Sequence, residues 1–150
     1  MKDQQVFSTA EPWFKGNLHT HSTKSDGRLE PRDVASIYRK KGYHFLAFTE
    51  HEKFSAWSEF SGDDFLVIPG IEIESKDFKS GPYRCHHIVG IERKFTDGRH
   101  LEPYDNSDLH GLKGAQTIID DLSDKGFLTL YCHPIWSRQT FEAVSPSTDF

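Results

Sequence analysis

The sequence predicts an α/β protein in which short buried strands alternate with amphipathic helices. Four apolar runs have the length of buried strands, at residues 44–49, 65–74, 86–92 and 127–132. Two other segments, 31–41 and 112–125, place apolar residues at the spacing of one helix face. Because alternating strands and helices are typical of βα units, a largely parallel sheet is expected. The chain shows neither a repeat nor a linker, so residues 1–150 are predicted to form a single domain.

Proline and glycine mark the expected boundaries of these elements. A first short strand is predicted at residues 17–20. Pro31 suits the first turn of the first helix, and Gly42 is expected to end that helix. Gly126 has the same place after the second helix. The polar, turn-rich residues 93–111 are predicted to form a loop.

The apolar run at residues 65–74 has two parts. Pro69-Gly70 is expected to interrupt it, and beyond this point isoleucine alternates with glutamate. Since successive side chains of a strand point to opposite faces, Glu72 and Glu74 share the face opposite their isoleucine neighbours. Glu74 is interpreted as a solvated strand residue.

Composition limits the classes of function. With 35% hydrophobic and 27% charged residues, the chain has the composition of an ordinary soluble domain. No run of about 18 apolar residues is present, and residues 1–11 are mostly polar, so neither membrane insertion nor secretion is expected. The two cysteines are expected to be reduced thiols in a cytoplasmic protein. The net charge of −5 argues against general nucleic-acid binding, although bound cations would still permit an anionic substrate.

The chain has nine histidines, most of them in short clusters. His19 and His21 lie at or just past the end of the first predicted strand and share one face. His51 and His133 follow two later strands almost directly, and Glu72 lies near the end of another. The carboxyl ends of parallel strands meet at one edge of a sheet, where the active sites of α/β proteins assemble. A functional site is therefore predicted at this edge.

The residue types at this edge are metal ligands. Imidazole and carboxylate groups suit Zn²⁺, Mn²⁺ or Fe²⁺ rather than a soft thiolate site. The candidate ligands are His19, His21, Asp26, His51, Glu72, His87 and His133. Because a single zinc ion uses about four ligands, this set predicts two or three divalent metal ions that share bridging groups. Such a cluster can activate water and polarise a phosphoryl or carbonyl oxygen.

The remaining histidines are interpreted as structural. His86 and His87 are neighbours on a predicted strand and face opposite ways, so only one can enter the site. His87 is favoured, and His86 is interpreted as a face or edge residue. His44, His100 and His110 lack partners at useful spacing and are interpreted as surface or helix-flanking residues.

The candidate ligands belong to short motifs in a fixed order. These motifs are HTH at 19–21, SDG at 25–27, TEH at 49–51, PGIE at 69–72, HIVG at 87–90 and HP at 133–134. Together they resemble the PHP (polymerase and histidinol phosphatase) family, close to its stand-alone phosphoesterase and CehA/McbA-like hydrolase branches. The resemblance runs from about residue 16 to residue 134. It implies a distorted, seven-stranded (βα) barrel that carries a metal-dependent hydrolase site.

The resemblance also implies roles for single residues. It distributes the ligands over three metals, with His19 and His21 on the first, Glu72 as the bridge to the second, His87 and His133 completing the second, and Asp26 and His51 on the third. Glu72, His51 and Asp26 are accordingly the catalytic candidates, since water activated there would attack a phosphorus or carbonyl carbon. Arg138 is a candidate contact for a substrate anion on the ground of its position alone, shortly after His133.

The chain departs from the family pattern at two points. The family usually has Asp before the second-motif histidine, where this chain has Glu50, a residue expected to support the ligands rather than bind metal. The family also ends with a Gly-x-Asp-x-His motif, and nothing after His133 matches it. The barrel is therefore expected to be incomplete, as the N-terminal portion of one PHP domain. A homo-oligomer in which a partner completes the fold is one expectation that follows.

Three functions remain open at this stage. The first is hydrolysis of a phosphoester, on a phosphorylated small molecule or a nucleotide, by metal-activated water. The second is hydrolysis of a carbamate, ester or amide by the same cluster. The third is a metal-binding module without turnover, which the missing last motif favours.

Overall fold

The computed structural model describes residues 12–77, 84–94 and 103–140. The elements are β1 (Gly16–Asn17), α1 (Pro31–Lys40), β2 (Phe45–Phe48), β3 (Leu66–Asp77), β4 (Arg84–Glu92), α2 (Gly111–Asp124) and β5 (Phe127–Cys132), with one 3₁₀ turn at Ser58–Phe60. The strands form one sheet in the order β1-β2-β3-β4-β5. This five-stranded sheet curls into a half-barrel. The fold is therefore of the mixed α/β class.

The sheet is parallel only in its first half. β1, β2 and β3 run parallel, whereas β4 is antiparallel to both β3 and β5. The prediction of a largely parallel sheet is wrong for β4, because residues 78–83 are too short a connection for the crossover that a parallel pair requires. β5 again runs in the direction of β1 to β3. The start of β4 therefore lies at the same edge as the carboxyl ends of the other four strands.

Both helices were predicted to within one residue, because proline and glycine fix their ends. Pro31 begins α1, where its missing N–H is not needed. Gly42 and Gly126 follow the two helices with φ of 72° and 86°, in the left-handed region that glycine adopts at low cost. Neither helix is long and apolar enough to span a membrane, within the three described segments.

The two helices cover one side of the sheet, here called the outer face. α2 packs through Ile118 and Leu122 on the isoleucines of β3, and α1 packs through Val34 on the neighbouring strand β2. The opposite, inner face carries a smaller apolar cluster of Ala47, Val89 and Ile91. The alternation predicted along β3 thus places its isoleucines in the outer core and its glutamates on the inner face.

β3 runs without a break through Pro69-Gly70, contrary to the interruption predicted there. Pro69 is paired with Phe48, the last residue of β2, so the missing N–H lies where the parallel ladder ends. Gly70 is closely enclosed, since a Cβ atom there would lie 2.8 Å from the carbonyl oxygen of Phe48 and 2.9 Å from that of Gly90. Only glycine lets three strands approach this closely, and the next inner-face residue of β3 is Glu72.

The first strand is shorter than predicted and ends at Asn17. Residues 18–21 nevertheless follow β2 in the same direction. The Thr49 amide donates to the carbonyl oxygen of Thr20 at 2.9 Å, and the Thr20 amide donates to the Thr49 hydroxyl at 3.1 Å. This side-chain pairing replaces the regular ladder and leads His19 and His21 to the edge.

The outer core predicts an asymmetry between two leucines. Leu122 is 1% exposed beneath α2, whereas Leu128 on the inner face is 43% exposed. We expect Leu122→Ala to lower the free energy of unfolding by about 2–5 kcal/mol through the cavity that it leaves. The matched change Leu128→Ala should lower it by less than about 1.5 kcal/mol. Urea unfolding followed by circular dichroism measures both, and equal losses would contradict the two-faced sheet.

Candidate metal centre

One buried carboxylate, that of Glu72, lies at the centre of a group of histidines. Its side chain is fully buried in the middle of β3. Five imidazole nitrogens approach it: His87 Nδ1 at 2.8 Å and His133 Nε2 at 3.1 Å from Oε1, and His21 Nε2 at 3.1 Å, His51 Nδ1 at 3.4 Å and His19 Nε2 at 3.6 Å from Oε2. The sequence prediction that these six residues meet at one edge of the sheet agrees with this geometry.

The strand directions explain how the chain brings these residues together. His19 and His21 follow β1, His51 follows β2, and His133 follows β5. His51 and Glu72 are joined as a parallel bridge, because β3 extends past the end of β2. His87 is placed differently, since it lies near the start of β4 and not near a carboxyl end. The reversal of β4 carries it to the same edge.

The spacing of these atoms fits divalent metal ions. Two nitrogen or oxygen ligands about 2.1 Å from one tetrahedral ion lie about 3.4 Å apart. The contacts of Glu72 with His21, His51 and His19 at 3.1–3.6 Å are of this size, as is the 3.3 Å between the Nε2 atoms of His19 and His21. Oε2 of Glu72 is buried and has no hydrogen-bond partner. Because a buried charged oxygen needs a compensating partner, a bound cation would complete the environment of Oε2.

Two groups of donor atoms share Glu72. One joins it to His19 and His133, and the other joins it to His21 and His51. The resemblance instead places His19 with His21, and His87 with His133. The assignment of ligands to single ions stays a prediction, whereas Glu72 is the common member in both descriptions. The clustered donors support binding of divalent metal.

The charges of the centre are strongly coupled. Burial alone would raise the pKa of Glu72, but the imidazoles of His21, His87 and His19 hold this pKa far below its ordinary value. Burial alone would lower the pKa of His87, but its hydrogen bond to Glu72 and the adjacent Glu74 carboxylate raise this pKa to about 10. The pKa of His19 is lowered, chiefly by burial. Glu72 is therefore an anion at neutral pH, as a bridging ligand must be.

Asp26 lies at the mouth of the centre. Its carboxylate is 68% exposed and lies 3.7 Å from His21 Nδ1 and 3.6 Å from His51 Nε2, on the far side of both rings from Glu72. Gly27 permits this loop to turn back tightly, since a Cβ atom there would lie 2.7 Å from the backbone of His21. Asp26 thus contacts the centre from outside.

Glu50 supports this loop from beneath. Its buried carboxylate accepts hydrogen bonds from the Ser22 amide at 3.0 Å and from the hydroxyls of Ser22 and Ser25. The Glu50 backbone is also tied to the centre, since the Glu72 amide donates to the Glu50 carbonyl oxygen at 3.0 Å. The supporting role expected for Glu50 agrees with these hydrogen bonds.

The centre opens into a cavity of about 280 Å³. It is lined by His21, Asp26, His51, Glu72, His87, His133 and Trp136. Trp136 was not predicted, although it follows His133-Pro134 closely; its ring meets those of His87 and His133 edge-on, with centroids 5.4 Å apart in each case. Arg138 is exposed, has φ of 57° and does not line this cavity. Its contact with a substrate stays a prediction.

Of two expectations about neighbouring residues, one agrees with the structure and one is wrong. His86 is a face residue, as expected: it points away from the centre, is 2% exposed and packs on the outer face, where its Nδ1 lies 2.8 Å from the Tyr131 hydroxyl. Glu74 is not solvated, since its side chain is 16% exposed and faces His87. His44 and His110 lie outside the centre, as expected, and His100 falls outside the described residues.

Comparison with known proteins gives only partial likenesses. No family model matches the chain. It is 48% identical to the DNA polymerase/3′-5′ exonuclease PolX of Bacillus subtilis over 41 residues, which are 27% of this chain and 7% of PolX. It is 26% identical to the ribosome maturation factor RimM of Limosilactobacillus reuteri over 61% of this chain and 51% of RimM. The chain thus spans at most about half the length of these two proteins.

Two solved structures are similar to part of this chain. One is a provisionally assigned metal-dependent phosphoesterase from Bifidobacterium adolescentis, with 28% identity and a TM-score of 0.45 over 55% of this chain and 29% of that protein. The other is an amidohydrolase from Chromobacterium violaceum, with 22% identity and a TM-score of 0.42 over 73% of this chain and 32% of that protein. At these TM-scores neither likeness establishes a family or an activity for this chain.

Metal content tests the centre directly. We expect the purified chain to hold roughly two or more equivalents of zinc, manganese or iron, and His19→Ala and His51→Ala each to lower this content. His44→Ala is the matched control, because His44 lies before β2 at the opposite edge, where its Nδ1 accepts from the Lys15 amide. Elemental mass spectrometry gives the stoichiometry. Equal content in all four proteins would rule out this centre.

Glu50 should act on metal affinity without binding metal. Glu50→Gln removes the charge that holds the Ser22 and Ser25 hydroxyls, so the loop carrying Asp26 loses its support. We expect metal affinity to fall roughly 10–100-fold, as for other residues that orient ligands. Glu59→Gln, in the 3₁₀ turn, is the control. Competition with a metal-sensitive dye measures both, and an unchanged Kd in Glu50→Gln would contradict the supporting role.

Proposed function

We propose that this chain is a metal-dependent hydrolase of the PHP type that cleaves a phosphoester of a small molecule or nucleotide. The observation that carries the proposal is the convergence of five imidazoles on the buried Glu72 carboxylate at an open edge of the sheet. A structural metal site is closed by its protein ligands. This centre instead faces a cavity, so a substrate and a water molecule can reach it.

The residues around the cavity have separate chemical roles in this proposal. Divalent ions held by Glu72 and the histidines would supply Lewis acidity toward a phosphoryl oxygen and a water molecule. Asp26 is exposed at the mouth and lies 3.6 Å from His51 Nε2, so its Oδ2 can accept a proton beside the attacking water. The exposed indole of Trp136 gives the cavity an apolar wall for the rest of the substrate.

The phosphoester assignment rests on resemblance added to this chemistry. The order of the motifs resembles that of the PHP family, and its stand-alone phosphoesterase branch supports the phosphoester, whereas its CehA/McbA-like branch permits the carbamate alternative. PolX, which shares a 41-residue stretch at 48% identity, is a polymerase and exonuclease, and both activities act at phosphorus. The five strands described here would be part of a seven-stranded barrel.

A paired substrate panel tests the proposal. With added Mn²⁺ or Zn²⁺, we expect hydrolysis of an aryl phosphate and none of the matched aryl carbamate. Glu72→Gln and Asp26→Asn should each lower kcat by roughly 100-fold or more, and chelation should abolish turnover. His44→Ala should keep full activity, since it lies at the opposite edge. Release of the common aryl alcohol gives one readout for both substrates.

The same panel separates the alternatives. Turnover of the carbamate alone would reject the phosphoesterase proposal and favour a carbamate, ester or amide hydrolase that uses the same centre. Metal binding without turnover of either substrate, and with Glu72→Gln still folded by circular dichroism, would leave a metal-binding module. Wild-type turnover that persists in Glu72→Gln would reject the centre altogether.

A further inference from the structure

A second group of ligand atoms lies beside the Glu72 centre, on the inner face of β3 and β4. Glu74, Cys85 and His87 each bring one donor atom to a place where all three lie within 4.8 Å of one another. Glu74 is the direct partner of His87 in the antiparallel ladder, and Cys85 precedes His87 by two residues on the same strand. The pairing of the strands therefore fixes this triad.

One of the two nitrogens of the His87 imidazole has no hydrogen bond. Nδ1 lies 2.8 Å from Glu72 Oε1 and donates its proton to that carboxylate. Nε2, on the other side of the ring, is buried and has no hydrogen-bond partner, and the His87 side chain is only 5% exposed. The nearest carboxylate oxygen, Glu74 Oε1, is 3.7 Å away, which is too long for a hydrogen bond. A buried nitrogen in this state costs free energy unless something binds it.

We propose that Glu74, Cys85 and His87 form a separate site for one thiophilic divalent cation, zinc above all. A carboxylate, a thiolate and an imidazole leave one position open for water around a tetrahedral zinc ion. The thiolate selects against Mg²⁺ and Mn²⁺, which prefer oxygen ligands. The two anionic ligands also balance the charge of the ion. Binding forms the metal–sulfur bond and releases the Cys85 thiol proton to solvent, together with any proton on His87 Nε2.

This site is coupled to the Glu72 centre and distinct from it. His87 would bind the ion through Nε2 while Nδ1–H keeps its hydrogen bond to Glu72, the carboxylate–histidine–metal arrangement that orients ligands in many metal sites. Two groups of donors around Glu72 are formed without His87, so the Glu72 centre keeps ligands of its own when His87 Nε2 binds this ion. The site therefore does not depend on the proposed hydrolase activity.

Cadmium titration of the metal-free full chain tests the site, because cadmium–thiolate bonds absorb in the ultraviolet. We expect this charge-transfer band to saturate with one equivalent in the wild type and to disappear in Cys85→Ser. Cys132→Ser is the matched control, since Cys132 Sγ contacts the Leu130 carbonyl and is not part of the triad. His21→Ala, which damages only the Glu72 centre, should keep the band. Glu74→Gln should weaken cadmium binding roughly 10–100-fold.

A measurement on the unmodified chain covers the case in which Cys85→Ser does not fold. Zinc-edge X-ray absorption of the zinc-loaded wild type should show a sulfur atom about 2.3 Å from part of the zinc. Zinc without any sulfur neighbour would overturn the site. So would a cadmium band that survives in Cys85→Ser, or one that is lost in Cys132→Ser instead.

Discussion

The burial of the Glu72 carboxylate is the constraint on which the rest of this structure depends. A carboxylate withdrawn from water costs on the order of several kcal/mol unless opposite charges or hydrogen bonds compensate. Here the compensation comes from five imidazoles that belong to four separate stretches of chain. Each strand must therefore end, or begin, at the position along the sheet that brings its histidine within about 3.6 Å of the Glu72 carboxylate.

This constraint accounts for the unusual course of the sheet. β3 continues well past β2, and the extension carries Glu72 over the end of its neighbour, where the bridge to His51 forms. β4 runs in the opposite direction and delivers its ligand near its first residues rather than its last. Both helices pack on the outer face, so the inner face is left to the polar residues and a small apolar cluster. The outer face therefore carries the packing that stabilises the fold, and the inner face carries the candidate metal ligands.

Sequence reasoning found the helices, the alternation in β3 and the set of converging residues, because each depends on local pattern. Proline and glycine fixed the helix ends, and period-two spacing placed Glu72 on the inner face. The reversal of β4 could not be predicted, since strand direction depends on pairing and not on the pattern of apolar residues. For the same reason Glu74 was taken for a solvated residue. Its environment is decided by His87 across the ladder, a neighbour that no local spacing reveals.

Gly70 fixes the spacing of the strands that hold Glu72. Its backbone lies against the carbonyl oxygens of both neighbouring strands, so any side chain there would force the sheet apart. A larger residue at position 70 would therefore displace the glutamate two positions later, even though it would touch none of the histidines. The placement of the candidate ligands thus depends on the absence of a single methyl group at a position that carries no chemistry of its own.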